Sequence, residues 1–324
     1  MNAPVQKWNV QDWKVQEWVL DNAAWFGASP KLSVLIPFLH DDPRWLIAAL
    51  DKEAALVGGT VELVLLDDGA GDDELARQVG TAVEALTLPA RLVQLPKNEG
   101  RSKGRNRLAR HARSANLLFL DSDMLPDAPD FLQRYLELVR TEKPAVAFGG
   151  FSLEQAPERP EHRLHRRMAS RSDCAPAARR RKTPAKYVFT SNLLIRRDVF
   201  EAESFDEGFT GWGWEDVEWG VRISRRHPIL HIDNPATHLG LDTAQIIAVK
   251  YEQSAANFAR LLRSHPDIVK RYPTYRVACL MKLMPFSGLW RPLLKAIALA
   301  EAAPLRLRAF CLRLYRVAVT ARAI

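Results

Sequence analysis

The chain has 324 residues, 47% hydrophobic and 26% charged, an ordinary balance for a globular protein with a sizeable core. Its three cysteines, Cys174, Cys279 and Cys311, are far apart and odd in number, so neither a disulfide framework nor a CxxC metal site is expected, and a reducing cytoplasm suits them. The net charge of +8 is unevenly placed: residues 159–186 carry ten Lys/Arg against two acids, residues 260–324 carry thirteen against two, and the remainder sums to −11, so an acidic body bears two basic additions.

The first residues, "MNAPVQKWNVQDWKVQEW", lack the basic start and apolar run of a signal peptide. No stretch reaches the ~18 uncharged apolar residues of a membrane-spanning helix. A pentad repeat, "QKWNV", "QDWKV", "QEWVL", places Trp8, Trp13 and Trp18 five residues apart. That spacing matches neither a helical nor a strand period. Residues 1–30 therefore read as an arm packed along the domain, with an aromatic anchor to a membrane surface or glycan as the alternative.

From residue 31 a repeating pattern sets in. The run "LSVLIPF" (32–38) predicts a strand. Residues 43–57 predict a helix opening at Pro43, with Leu46, Ile47, Leu50 and Ala54 on its apolar face, and "VELVLL" (61–66) predicts a second strand that ends in Asp67-Asp68-Gly69. A helix over 72–87, a strand at "ARLVQLP", a basic helix over 101–114 and the strand "NLLFL" follow, the last running into Asp121-Ser122-Asp123. Such alternation predicts an α/β fold with a mostly parallel central sheet. Ligands of these sheets sit beyond the carboxyl ends of the strands, where both acid pairs fall.

Further along, "FLQRYLELVR" reads as a helix and "AVAFGGF" as a strand. Residues 156–186, rich in Pro, Arg and Ala, read as a mobile basic loop. After "YVFTSNLLIRRDVF", a strand and a helix, comes "TGWGWEDVEWG" (210–220), with three tryptophans and three acids in eleven residues. Beyond "HPILHIDNPATHLG" the chain reads as wholly helical, so residues 241–324 form a basic helical extension.

Several segments carry chemistry. Asp121-Ser122-Asp123 is an oxygen-rich corner suited to Mg²⁺ or Mn²⁺, although capping aspartates in a turn would look the same. In "NEGRSKGRNRLARHA" (98–112), glycines and Arg/Lys at a helix start favour phosphate, and a solvated basic helix is the alternative. Arg101 and Arg105 share a helical face, so either can turn toward the Asp pair. Asp68 closes a strand and could accept from a base N–H or a ribose hydroxyl. His238, in "PATHLG", carries no signal of its own.

Taken in order, "VLIPF", "LLDDG", "GRSKGRN", "FLDSD", "GWGWEDVEWGVRI" and "THLG" resemble the inverting GT-A glycosyltransferases of family 2, especially those with a galactosyltransferase-like GWGxED segment. The resemblance covers residues 31–240. It implies a Rossmann-like nucleotide-diphospho-sugar transferase fold and a nucleotide-sugar donor, commonly a UDP-sugar, held through Mn²⁺ or Mg²⁺. By that resemblance Pro37 and Phe38 line the nucleotide pocket, Asp68 meets the base and Arg105 lies near the diphosphate. Asp121 contacts ribose or metal, while Asp123 and His238 ligate the metal. Trp212 or Trp214 stacks on the acceptor sugar, Glu215 holds an acceptor hydroxyl and Asp216 deprotonates it. This sequence has Trp214 where a second glycine is common. The related retaining enzymes often carry Asn at the second acid, so "ED" points to inversion.

The expected activity is metal-dependent transfer to a glycan or lipid-linked saccharide in bacterial surface polysaccharide synthesis. The basic tail is expected at an anionic membrane surface on the cytoplasmic face. Two rival readings are a nucleic-acid-binding protein, which leaves the DSD and GWGWED segments without purpose, and a nucleotide-sugar-binding protein without catalysis.

Overall fold

The computed structural model describes residues 17–283 and 287–324; Trp8 and Trp13 of the pentad repeat lie outside them. In chain order the strands are β1 (Trp18–Asp21), β2 (Leu32–Phe38), β3 (Val61–Asp67), β4 (Ala90–Gln94), β5 (Asn116–Leu120), β6 (Met124–Pro126), β7 (Val146–Phe148), β8 (Phe151–Ser152), β9 (Asn192–Arg196), β10 (Ile229–His231) and β11 (Ala236–His238). The helices up to β10 are α1 (Arg44–Asp51), α2 (Ala54–Val57), α3 (Asp73–Glu84), α4 (Arg101–His111), α5 (Phe131–Thr141), α6 (Arg163–Ser172), α7 (Ala177–Arg180), α8 (Arg197–Ala202) and α9 (Glu215–Ser224). After β11 come α10 (Ala244–Ser264), α11 (Pro266–Val269), α12 (Pro273–Leu283), α13 (Ser287–Leu299) and α14 (Leu305–Thr320). No helix among the described residues is long and apolar enough to cross a membrane.

Two compact units divide the chain. One holds the residues up to Ala156, Ala175–Phe205 and Trp219–Leu239; the other holds Pro157–Cys174, Asp206–Glu218 and Gly240–Ile324. The GWGWEDVE segment therefore groups with the C-terminal helices rather than with the sheet, unlike a division drawn at residue 240.

In the first unit the main sheet has the order β1-β4-β3-β2-β5-β9-β7-β10. Strands β2 to β5 run parallel, as do β7 and β10, while β9 is antiparallel to both its neighbours and β1 to β4. Strand β3 is buried at all seven positions, as a strand covered on both faces must be. Alternate side chains feed opposite cores. Val61, Leu63 and Leu65 join one cluster with α1, α3 and α5 residues, while Val64 and Leu66 join another with Leu108, Phe200 and Trp219. The buried Glu62 would be costly on that second face. Its carboxylate accepts from Ser33 Oγ at 2.6 Å and from Arg113 N and Nε, each at 2.6 Å. A small second sheet, β6-β11-β8, returns the chain beside β5.

Two expectations are corrected. The helix expected over 43–57 breaks after Asp51, because buried Glu53 turns its carboxylate to the first amides of α5, Leu132 N at 2.9 Å and Gln133 N at 3.2 Å. Within the arm expected over 1–30, Trp18–Asp21 form β1 along β4, and Asn22 then binds Leu88 O at 2.9 Å and Ala90 N at 3.0 Å. The expected loop at 156–186 is mostly helical, as α6, α7 and two short 3-10 turns. Its Ala and Arg are strong helix formers, and Pro160, Pro176 and Pro184 stand at helix starts, where proline is tolerated.

The second unit is helical. Leu164 of α6 packs with Ile247 and Tyr251 of α10, Leu294 and Ala298 of α13, and Leu312 and Tyr315 of α14. A smaller cluster joins Phe209 to Phe258, Leu261 and Val269.

Trp219 is fully buried in the first unit, and its indole N–H donates to Glu203 O at 2.5 Å. Trp219→Ala should therefore lower stability by about 3–5 kcal/mol in urea unfolding; a cost within experimental error would contradict this packing.

Candidate active site

Pro37, Phe38, Asp68 and Asp121 stand at the carboxyl ends of β2, β3 and β5, all in the first unit. Asp68 is buried, and its two oxygens accept from Glu99 N at 2.9 Å and Gly100 N at 3.0 Å. It thus fixes the loop that enters α4. Burial pushes its pKa up, and those backbone bonds only partly offset the rise. Pro37 is half-buried, while the Phe38 ring lies in the core rather than facing a ligand.

Arg105 is 1% exposed and donates from Nη2 to Asp121 Oδ1 at 2.9 Å. Asp121 Oδ2 accepts from Ser191 Oγ at 2.7 Å, and Arg101 Nη2 lies 3.7 Å away. Both arginines of the shared helical face thus reach this carboxylate. Burial alone would raise the Asp121 pKa, but Arg105, Arg101 and the Ser191 hydroxyl outweigh it and hold the group below its ordinary value. Arg105 Nε and Nη1 are buried without a hydrogen-bond partner among the described residues. A guanidinium in that state is costly, and such costs concentrate where function needs them.

Two residues farther on, Asp123 Oδ2 lies 3.0 Å from His238 Nε2. The β6–β11 ladder makes this meeting across 115 positions, with His238 opposite Met124 and Asp123 O accepting from Leu239 N at 2.9 Å. The two side chains are 23% and 30% exposed, so a ligand can reach them. Adjacent vertices of an octahedral Mg²⁺ or Mn²⁺ shell lie about 3 Å apart when metal–ligand distances are about 2.1 Å. The pair therefore fits one divalent ion. Both oxygens of Asp121 are already engaged by protein donors, which leaves it second to Asp123 as a ligand. Among the described residues no group of three or more His, Cys, Asp or Glu is placed to hold a metal, so the remaining positions of such a shell would fall to phosphate or water.

In the second unit, the segment before α9 is a tight loop with Gly211 at φ +70°, Gly213 at φ +89° and Trp214 at φ +74°. This left-handed conformation favours glycine, which explains why glycine is common where this chain has Trp214. Asn257 pins the loop by donating to Thr210 O and Gly213 O, each at 2.9 Å. The Trp214 ring meets Phe258 edge-on at 4.8 Å and carries the Arg316 guanidinium at 4.5 Å. Trp212 is less engaged, with Tyr251 at 6.4 Å and Lys250 at 5.9 Å. Three acids occupy the first turn of α9. Glu215 and Glu218 are buried, and Glu218 meets His265 Nε2 at 2.9 Å. Asp216 is half-buried, the most accessible of the three.

Ser191, Asn257, Phe258, Arg316 and His265 were not singled out from the sequence. Each acts on a site residue far away along the chain, and none stands in a motif that would reveal it.

The profile of Glycosyl transferase family 2 matches residues 33–203, just over half of the chain. Validoxylamine A glucosyltransferase of Streptomyces hygroscopicus subsp. limoneus is 25% identical over 270 residues, covering 74% of this chain and 58% of that protein. The uncharacterized glycosyltransferase YfnE of Bacillus subtilis is 22% identical over 239 residues, 60% of each chain. The chain thus spans about three fifths of the length of these curated relatives. The mannosyltransferase PcManGT from Pyrobaculum calidifontis, solved in complex with GDP-Man and Mn²⁺, matches with a TM-score of 0.54 at 16% identity, over 92% of this chain and 88% of that one. This likeness shows the GT-A fold.

The depressed Asp121 pKa sets a direction for acid stability. The unfolded chain binds a proton at Asp121 at higher pH than the folded chain does. The pair's contribution is therefore complete above the usual carboxylate range, about pH 4, and is lost as pH falls through the lowered folded value. Arg105→Gln should cost about 3–5 kcal/mol at neutral pH and flatten the loss of stability below about pH 4. Equal acid slopes in wild type and variant would refute the assignment.

Proposed function

Because the chain belongs to glycosyl transferase family 2, we propose that it transfers a sugar from a nucleoside-diphosphate sugar to a hydroxyl of a glycan or lipid-linked saccharide, inverting the anomeric carbon. The resemblance of its motifs favours a UDP-sugar. The observation that carries this reading is the Asp123–His238 pair, 3.0 Å apart and open to a ligand. PcManGT with GDP-Man and Mn²⁺ is a precedent in the same fold for a donor and metal of this kind.

The roles follow from chemistry. Asp68, whose oxygens already take two backbone N–H groups, keeps lone pairs for the base, and Asp121 keeps them for a ribose hydroxyl. Arg105 and Arg101 place positive charge beside the diphosphate. Asp123 and His238 would hold Mn²⁺ or Mg²⁺, which when bound offsets the charge that builds on the leaving diphosphate.

On the acceptor side, Trp212 offers a flat apolar face to the CH face of a pyranose. Asp216 takes the proton from the attacking hydroxyl. It suits that work better than its neighbours, because Glu218 is spent on His265 and Glu215 is buried. It stands in the first turn of α9, at the helix end that favours negative charge. A single base acting on the acceptor implies direct displacement, hence inversion. The basic C-terminal helices fit peripheral attachment to the cytoplasmic face of a membrane during surface polysaccharide synthesis.

Asp216→Asn should reduce nucleoside diphosphate release by about 10²–10⁴-fold while UDP affinity changes less than about twofold; normal turnover would remove Asp216 from the mechanism. Asp123→Ala and His238→Ala should each raise the Mn²⁺ concentration needed for half-maximal UDP binding by about tenfold or more. Metal-independent binding in wild type would refute the metal assignment.

A further inference from the structure

Helices α6 and α14 together carry eight arginines and no carboxylate. Arg167 and Arg171 of α6, with Arg306 and Arg313 of α14, line a cavity of about 280 Å³ floored by Ala309 and Phe310. Arg167 and Arg171 also line a neighbouring cavity of about 410 Å³, together with Arg159, Arg163, Arg166 and Ser170. The two cavities share Arg167 and Arg171 and together give the second unit an arginine-walled trough, with Glu158 the sole acid among the residues that line it.

Elsewhere in this chain the well-placed arginines are matched. Arg107 pairs with Glu17 and Glu99, Arg113 with Glu62, and Arg260 with Asp206. Arg167, Arg171, Arg306 and Arg313 form no ion pair among the described residues. Desolvation, then repulsion from the other three, lowers the Arg167 pKa. Like charges gathered around one cavity repel each other, and an anion from outside relieves that repulsion. Guanidinium forks match phosphate oxygens two at a time, which a scattered lysine patch does not do.

We infer that this trough binds the phosphate or diphosphate group of an anionic ligand. Phe310 and Leu307 are 57% and 44% exposed. Phe310 lies four residues from Arg306 and three from Arg313, so an apolar edge borders the charge on one helix face. That edge favours a lipid headgroup over a free anion as the source of the phosphate. The same two helices reach the acceptor tryptophans. Met168 packs in one cluster with Trp212, and Arg316 lies over Trp214. A ligand anchored in the trough is thus held by the frame that supports Trp212 and Trp214. The inference goes beyond the transfer reading and stands even if Asp216 proves inert.

The test uses the full chain with excess UDP present, and two probes. Inorganic pyrophosphate is titrated by calorimetry, and vesicles of phosphatidylglycerol in phosphatidylcholine are pelleted with the protein. Arg306→Gln/Arg313→Gln alters two exposed side chains, and Arg171→Gln provides an independent change on the other helix. Wild type should bind at least one probe. The double variant should bind it about tenfold or more weakly and Arg171→Gln severalfold more weakly, with unchanged melting temperature. Loss with pyrophosphate identifies a free anion as sufficient, and loss with vesicles alone identifies a lipid headgroup. The inference falls if wild type binds neither probe, if the variants bind like wild type, or if only an oligonucleotide binds through these arginines.

Discussion

The carboxyl end of this sheet depends on the ion pair between Arg105 and Asp121. A guanidinium that is 1% exposed is expensive to bury, and two of its three nitrogens, Nε and Nη1, find no partner among the described residues. A carboxylate stands 2.9 Å away to meet that charge, and Ser191 steadies the carboxylate from the start of β9. The pair ties α4, β5 and β9 at one point. It also fixes how the chain leaves β5, and so where Asp123 can stand. Removing either partner would strand the other charge, and that penalty exceeds the worth of the pair itself.

Asp123 is then positioned by strand pairing. The β6–β11 ladder is only three residues long, yet it sets His238 against Asp123 at 3.0 Å. The loop before α9 uses backbone conformation instead. Trp214 occupies a left-handed region that costs a residue with a side chain roughly 1–2 kcal/mol, and Asn257, Phe258 and Arg316 hold it there. Strain retained at such a position has a use when it presents a ring or a carboxylate at a fixed angle.

Much of the sheet was legible because apolar runs such as "VELVLL" can only be central strands, and the rule about carboxyl ends then located Asp68, Asp121 and Asp123. The His238 contact was not legible from spacing; the family resemblance supplied it. Segment 156–186 misled because proline and arginine suggest a loop when counted, whereas their positions, proline first and arginine after, suit helices. Glu53 broke a helix by reaching for the amides of α5, a contact that no periodicity encodes. Of the three tryptophans in "GWGWEDVEW", only the resemblance, and not composition, set Trp212 and Trp214 apart from Trp219, a core residue. Helical phase would have helped: from Glu215 onward, Trp219 lies one turn past the first residue of α9.

Strand β1 has a consequence beyond the active site. It caps β4 through four residue pairs, Asp21 grips Arg91 at 2.6 Å, and Trp25 is sandwiched by Arg91 at 4.4 Å and Arg113 at 3.7 Å. A chain shortened past Asn22 would leave β4 with bare amides and carbonyls along one border, an invitation to self-association between molecules. The segment from Trp18 to Trp25 thus covers that border of β4.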